Sequence, residues 1–379
     1  MKTETLPLTP LFLPPPFDEP ATLVRILGAA GLPIPTPATL AGHALRSDAS
    51  GIRVGLVPSP DDSVRGVLVP ADADARSRLD FVMTVLGADR VPVSVVAAGG
   101  PEAADAYCFA PAEAPAEVGG PQGSAAPQRE AIEEVMGHFG RRDAAAVRPL
   151  LAGIAIRAIG RSRAGDDRRP GGLSAGLGAD AVEEVERDYA YANYFGVEEY
   201  RLRHRRFDGA TSDVLRRAVF TSGDAVTVLP FDPASRSVLL IEQFRAGPYA
   251  RRDPQPWSLE TVAGRCDRDE PPETTARREA REEAGLELGR LERIVAYYPS
   301  PGIMSEYITA FVGEADLNRA GGTHGLAEEH EDIRSIVVPL ATAMAAAAAG
   351  EINNAPLILS LYWLDRHADR LVAAWRADG

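Results

Sequence analysis

Apolar positions along the chain keep two different rhythms, and the rhythm changes midway. In the first third, short apolar runs alternate with Pro, Gly and Asp breaks. Runs at 11–13 (LFL), 52–58 (IRVGLVP), 64–70 (VRGVLVP), 91–96 (VPVSVV) and 106–110 (AYCFA) predict strands. PATLVRILGAAG (20–31) and ADARSRLDFVMTVLG (73–87) carry helical spacing. Residues 1–115 therefore read as a small mixed α/β domain. The Ala/Gly/Pro-rich segment 112–127 predicts a surface linker. Between 127 and 164, Ile132, Val135, Met136, Phe139, Val147, Leu150, Leu151 and Ile154 recur near helical spacing, with Pro149 placed to bend or split the helix. A second flexible break follows at 165–179, so 116–180 is expected to be linker and connecting helices.

From about 183 the pattern becomes strand-like, with Tyr, Phe and Arg alternating. Strands are predicted at 200–207, 215–220, 224–231, 237–244 and 257–263, then at 294–298, 307–314 and 333–338. The last segment, 340–377, reads as helix apart from a Gly350–Pro356 break. Residues 181–379 thus predict an α-β-α sandwich around a mixed sheet, and the whole chain is of α/β class.

The chemistry concentrates between Gly264 and Leu286, GRCDRDEPPETTARREAREEAGL. Ala276–Ala284 has no Gly or Pro, is rich in Ala, Arg and Glu, and stops at Gly285, a residue suited to the left-handed position after a helix. Glu270 and Glu273 set acids near the helix start, and Pro271-Pro272 fit a first turn that needs no amide donors. Residues three and four apart share a helix face, so Glu279, Glu282 and Glu283 point the same way. Three carboxylates so placed repel one another unless positive charge joins them, and hard oxygen ligands suit Mg²⁺ or Mn²⁺. The interleaved Arg277, Arg278 and Arg281 allow a plainer reading, a solvated helix laced with ion pairs.

The whole 23-residue pattern, Gly-x5-Glu-x7-Arg-Glu-U-x-Glu-Glu-x-Gly-U with apolar Ala280 and Leu286 at U, resembles the Nudix box. From about 185 onward the chain resembles the ADP-ribose pyrophosphatase branch of the Nudix hydrolases. The resemblance rests on FDGATSDVLRR (207–217), LLIEQFR (239–245), WSLETVAGR (257–265), SPGIMSE (300–306), HGLAEEHEDI (324–333) and a proline, Pro301, fifteen residues past the box. It implies hydrolysis of the diphosphate of ADP-ribose or a related ADP-sugar to AMP and ribose 5-phosphate, with two or three Mg²⁺ or Mn²⁺ ions. It implies metal ligands at the Ala263 carbonyl, Glu279, Glu283 and Glu331, and a general base at Glu329. The run Glu328-Glu329-His330-Glu331-Asp332 leaves that base open by one or two positions. Glu282 faces the ions as a ligand or a holder of water. Arg217 and Arg245 match substrate contacts, and Glu306 follows the Ser-Pro-Gly loop as a further one. Gly264, Glu270, Arg278 and Gly285 are read as structural. A homodimer is also implied.

Residues 8–110 resemble the gamma-glutamylcyclotransferase-like (AIG2-like) family, through the first strand, LAGHAL (40–45), GLVPSP (55–60), VRGVLV (64–69) and the helix carrying Leu79-Asp80. Where that family has a backbone-rich substrate loop, Leu13-Pro14-Pro15-Pro16-Phe17 supplies no donors from its prolines. Asp80 is the only carboxylate near the expected acid/base position. A catalytically silent domain is therefore expected, with a live cyclotransferase as the rival.

Length and charge limit the alternatives. A chain of 379 residues supports two cores, and a net charge of −14 argues against a nucleic-acid or membrane-surface partner. Lys2 is the only lysine, so nearly every basic side chain is arginine. Cys108 and Cys266 are too few for a disulfide framework or a zinc site. The absence of a long apolar run at the N-terminus makes a cytoplasmic protein the expectation. A Nudix-fold sensor that binds ADP-ribose without cleaving it remains the alternative from another functional class.

Overall fold

In a computed structural model of the chain, residues 9–28, 34–48, 50–110, 114, 117–118, 125–166, 172–267, 270–325 and 332–377 are described. The chain divides into two compact units, Met1–Ser222 and Gly223–Gly379.

The first unit starts with a six-stranded sheet built from β1 (Leu11–Leu13), β2 (Thr36–Ser47), β3 (Val54–Val69), β4 (Ala88–Ala97), β5 (Gly100–Phe109) and β6 (Glu117–Val118), in the order β1-β3-β5-β4-β2-β6. An additional pairing between β2 and β3 closes the sheet on itself. Phe12, Leu40, Leu56, Val64, Leu68, Val95, Ala106 and Cys108 form one cluster of its side chains, as expected of a small barrel whose interior is filled. The expected strands at 52–58 and 64–70 are one strand, β3, and β2 has no predicted counterpart. The polar residues Ser59–Asp62 have no partner in β2, whose pairing passes from His43–Pro58 to Ala41–Ser63 across an irregularity where Gly42 takes φ 72°.

A second core lies among Leu11, Leu13, Phe17, α1 (Pro20–Leu27), α2 (Ala73–Leu86), α3 (Ala126–Gly137), α4 (Ala144–Val147) and α5 (Leu151–Asp166). Pro149 falls in a short 3₁₀ turn between α4 and α5, which splits the long predicted helix. The strands β7 (Val182–Ala192), β8 (Gly196–His204) and β9 (Leu215–Thr221) form an antiparallel sheet in that order.

This unit runs past the boundary expected near 180, because α3 and α5 hold the β7–β9 sheet through buried charge. Arg157, 1% exposed, donates from Nε to Glu134 Oε1 at 3.0 Å and from Nη1 to the Asn193 carbonyl at 3.2 Å. Arg161 donates to Glu134 at 2.9 Å and pairs with Glu198, which also accepts the Tyr200 hydroxyl. Glycines give the clearance: a Cβ at Gly137 would lie 2.1 Å from the Tyr189 ring, and one at Gly153 would lie 2.3 Å from the Asn193 carbonyl oxygen.

The second unit is a mixed sheet of β10 (Ala225–Asp232), β11 (Ser237–Phe244), β12 (Trp257–Glu260), β13 (Val262–Arg265), β14 (Leu291–Tyr297), β15 (Ile308–Glu314), β16 (Gly322–His324) and β17 (Ile333–Pro339). Its main order is β14-β15-β10-β11-β17-β16, with β12 on β11 and β13 on β10, and β10 runs parallel to β15. The helices are α6 (Ala246–Ala250), α7 (Pro272–Ala284), α8 (Leu340–Ala349) and α9 (Ala355–Ala377). Side chains of the central strands alternate between two cores. Val226, Val228, Leu239 and Ile241 pack with Ala276, Ala280 and Ala284 of α7. Leu229, Phe231, Val238 and Leu240 pack with Leu357, Leu361, Leu364, Leu371 and Trp375 of α9. The spacing of those α9 residues is the stripe expected of a helix lying on a sheet. The result is the predicted α-β-α sandwich. No helix among the described residues is long and apolar enough to cross a membrane.

The buried charge network yields the first prediction. Glu134→Ala leaves Arg157 buried without its carboxylate and should cost about 3–5 kcal/mol. Urea unfolding followed by circular dichroism should show an earlier transition, with faster amide hydrogen exchange over β7–β9. Unchanged exchange there would mean that the network does not hold the sheet.

Candidate active site

The site is prepared by two strands that part. β10 and β11 pair only at Phe231–Val238 and Asp232–Ser237, beside their turn. Farther along, β12 pairs with β11 and β13 with β10. The crossing at Thr261 places Ala263 opposite Thr227 and Gly264 opposite Val226. α7 lies close above because its inward stripe is alanine at 276, 280 and 284. The helix ends where Gly285 takes φ 65°, and its amide turns back to the carbonyls of Ala280 and Arg281.

Two backbone contacts then seat the acidic face. The Ala263 amide donates to Glu283 Oε2 at 2.9 Å, and Glu283 is buried. Glu279 occupies the space a side chain at 264 would need: a Cβ on Gly264 would lie 1.8 Å from Glu279 Oε1. Here glycine is required by a close approach rather than by backbone angle.

The mutual repulsion of these acids is answered by Arg278. Its Nη1 donates to Glu279 Oε1 at 2.8 Å and to Glu282 Oε2 at 2.9 Å. Its Nη2 reaches the Arg265 carbonyl at 3.1 Å and Glu270 Oε2 at 3.2 Å. Glu270 also accepts the Thr275 hydroxyl at 2.8 Å, tying the loop before α7 to the helix. Burial pushes the Glu270 carboxyl up, but hydrogen bonds from Arg278 and Thr275 outweigh it and leave the pKa below the usual 4.5. Gly264, Glu270, Arg278 and Gly285 thus hold one another and the acidic face.

Arg245, just past β11, is not alone at the surface. Its Nε and Nη2 grip Glu260, with Nη2 to Oε2 at 2.7 Å. Glu306 is half-buried; burial raises its carboxyl, and Arg265 and Arg245 pull it part of the way back. Tyr297 faces Glu306, and burial with that carboxylate pushes its hydroxyl up to about 12. Arg217 lies exposed on β9 in the first unit, donating from Nη1 to the Arg216 carbonyl at 2.8 Å. Glu329 and Glu331, expected as base and ligand, lie outside the described residues.

Two residues were missed by sequence reasoning. Glu260 sits inside WSLETVAGR, and a carboxylate in a strand run that becomes buried needs a partner, which was the available signal. Tyr297 carried no comparable signal.

The donor set fits a hard divalent cation. Carboxylate oxygens and the backbone at Ala263 converge, Gly264 opens the space, and a guanidinium stands where positive charge is needed between Glu279 and Glu282. Among the described residues no three His, Cys, Asp or Glu side chains complete a cage by themselves.

The segment that carries this site is similar to known proteins. The family model described as NUDIX domain matches residues 221–361. An ADP-ribose pyrophosphatase of Escherichia coli (strain K12) is 42% identical over 207 residues, covering 55% of this chain and 99% of that one. An ADP-ribose pyrophosphatase of Haemophilus influenzae is 36% identical over 199 residues, 52% of this chain and 91% of that one. A GDP-mannose pyrophosphatase of Citrobacter koseri is 35% identical over 183 residues, 48% of this chain and 92% of that one.

Two predictions follow from the packing around Arg278 and Gly264. The folded Glu270 carboxyl titrates below its ordinary 4.5, so its pairing contributes stability above that pH and loses it as pH falls through the folded value. Glu270→Gln should flatten the acid limb of a melting-temperature profile, and an unchanged limb would refute the coupling. A Cβ at Gly264 would lie 2.4 Å from Glu279 Cγ as well as 1.8 Å from Oε1, so Gly264→Ala must turn the whole Glu279 side chain away, and turnover should drop about a hundredfold. Turnover near the parent value would mean that Glu279 need not sit there.

Proposed function

The chain belongs to the Nudix family, hydrolases of pyrophosphate bonds, and from that premise we propose that it cleaves ADP-ribose, or a closely related ADP-sugar, to AMP and ribose 5-phosphate. The observation that carries this reading is the seated acidic face: Glu279 against Gly264 and Glu283 on the Ala263 amide. The substrate assignment leans on the two ADP-ribose pyrophosphatases, which align over nearly their whole length.

In this reading Mg²⁺ is the metal, with Mn²⁺ able to replace it, at two or three ions per site. The Ala263 carbonyl, Glu279, Glu283 and Glu331 hold them. When bound, the ions neutralise the diphosphate and make attack by water feasible at neutral pH. The protein's own residues do the rest. Arg217 and Arg245 grip the substrate, a task for which the guanidinium fork suits phosphate oxygens. Glu306 contacts the substrate beside the Ser300–Gly302 loop. Glu329 takes the proton of the attacking water, and Glu282 holds that water or an ion. The water oxygen bonds to one phosphorus, the bridging P–O bond to it breaks, and two monophosphates leave.

The first unit serves assembly or regulation in this reading. Its closed barrel suits the resemblance to gamma-glutamylcyclotransferase-like domains, but Asp80 is engaged. It accepts the Tyr107 hydroxyl at 2.7 Å and lies 3.2 Å from Arg90 Nε. Both contacts fall on Oδ1, so that oxygen is already engaged within the domain, which favours the silent domain over the live cyclotransferase. A cytoplasmic homodimer completes the proposal.

The test is phosphate chemistry with the full chain. With Mg²⁺, ADP-ribose should be cleaved to AMP and ribose 5-phosphate with a higher kcat/KM than GDP-mannose. Glu283→Gln should lower turnover by orders of magnitude while melting remains close to the parent. Preference for GDP-mannose would reassign the substrate, and normal turnover in Glu283→Gln would remove the site.

A further inference from the structure

Glu260 is 6% exposed, a carboxylate among buried side chains that carry no charge, Ser258, Thr261, Gln243 and Ile241. The desolvation of such a group must be repaid by a partner. That partner is a single guanidinium: Arg245 Nε lies 3.1 Å from each carboxylate oxygen, and Nη2 lies 2.7 Å from Oε2. Both oxygens are therefore used by one side of the fork, which fixes the plane of the guanidinium as well as its place.

The pair stands on the functional face. Glu260 pairs in register with Ile241, and Ile241 packs with α7. Arg245 is four residues beyond Ile241, so the two-residue alternation of an extended chain keeps it on that side. The electrostatics agree, since the Glu306 carboxyl feels both Arg265 and Arg245, and the Arg265 carbonyl accepts from Arg278 of the box. The main chain of Arg245 is registered independently, with its amide 2.9 Å from the Pro256 carbonyl. Glu260 is thus needed for the direction of the side chain, not for the course of the loop.

We propose that Glu260 is a positioning residue: it holds Arg245 in one orientation before substrate arrives, so that the diphosphate meets a guanidinium already aimed. This rests on the reading of Arg245 as a substrate contact. An unheld arginine must surrender its rotamer freedom when it binds, and that loss weakens affinity. The effect belongs to binding, in ground state and transition state alike, so it appears in KM rather than in kcat.

The experiment measures steady-state hydrolysis of ADP-ribose by the full chain at saturating Mg²⁺. Glu260→Gln keeps the shape and removes the charge of the fork; it should raise KM about tenfold and change kcat less than about twofold. Arg245→Lys keeps the charge but cannot form the fork, and should raise KM similarly. Glu260→Gln combined with Arg245→Ala should be no worse than Arg245→Ala alone. If Arg245→Ala raises KM but Glu260→Gln does not, or if their losses multiply, the positioning role is overturned while the substrate reading stands. If Arg245→Ala leaves KM unchanged, the substrate reading of Arg245 falls and the inference falls with it. Should Glu260→Gln not fold, Arg245→Lys decides: an unchanged KM overturns the proposal.

Discussion

Like charge held together at short range is the constraint from which the second unit follows. Two unit charges about 4 Å apart interact by about 4 kcal/mol at the effective dielectric near a protein surface. Glu279, Glu282 and Glu283 share one helical face, and their repulsion works against that helix. Arg278 answers it by bridging Glu279 and Glu282, while the Ala263 amide takes Glu283. These responses require the helix to lie close to β13, and closeness requires small residues. The alanines of α7 and the bare backbone at Gly264 meet that demand. The order of causes runs from charge to packing to composition.

The sheet separates this strained region from an ordinary core. On one face, α7 packs through alanine and gains little apolar burial per residue. On the other, α9 buries Leu357, Leu361, Leu364, Leu371 and Trp375 against Leu229, Phe231 and Leu240. A fully buried leucine contributes roughly 1.5–3 kcal/mol, so the α9 face offsets what the acidic face costs. The same strands serve both faces because their side chains alternate.

Much of this was legible in the sequence, and the failures share a physical cause. The strands of the second unit other than β16, the C-terminal end of α7 and the helical form of α9 follow from local periodicity and from glycine and proline positions, whereas the three residues of β16 are held by pairing with β17. β2 escaped because TPATLAGHALRS lacks the bulky alternation of a strand, and its extended form depends on pairing with β3. The apparent break at Pro58–Asp62 lies inside one strand because that same distant partner pairs on both sides of it, up to Pro58 and again from Ser63. The unit boundary moved from near 180 to Ser222 because Arg157, Glu134 and Glu198 look like surface charges in sequence and are buried in the fold. Local patterns report local preferences; charge pairs formed over long sequence separations are decided by tertiary structure.

The near-absence of lysine gives these pairs a common character. Lys2 aside, each basic group is a guanidinium, which keeps its charge on burial and can engage two oxygens at once. The same fork appears where Arg157 meets Glu134, where Arg290 meets Glu314 and where Arg245 meets Glu260. Its consequences differ with surroundings. Around Arg157 both partners are sealed from water, so the fork fixes architecture. At Arg245 the carboxylate is buried and the arginine side chain is 43% exposed, so the pair is anchored on the acid and open to solvent on the arginine. That asymmetry separates a structural ion pair from one able to meet a ligand, and it depends on exposure of the arginine, since the acid is buried in both.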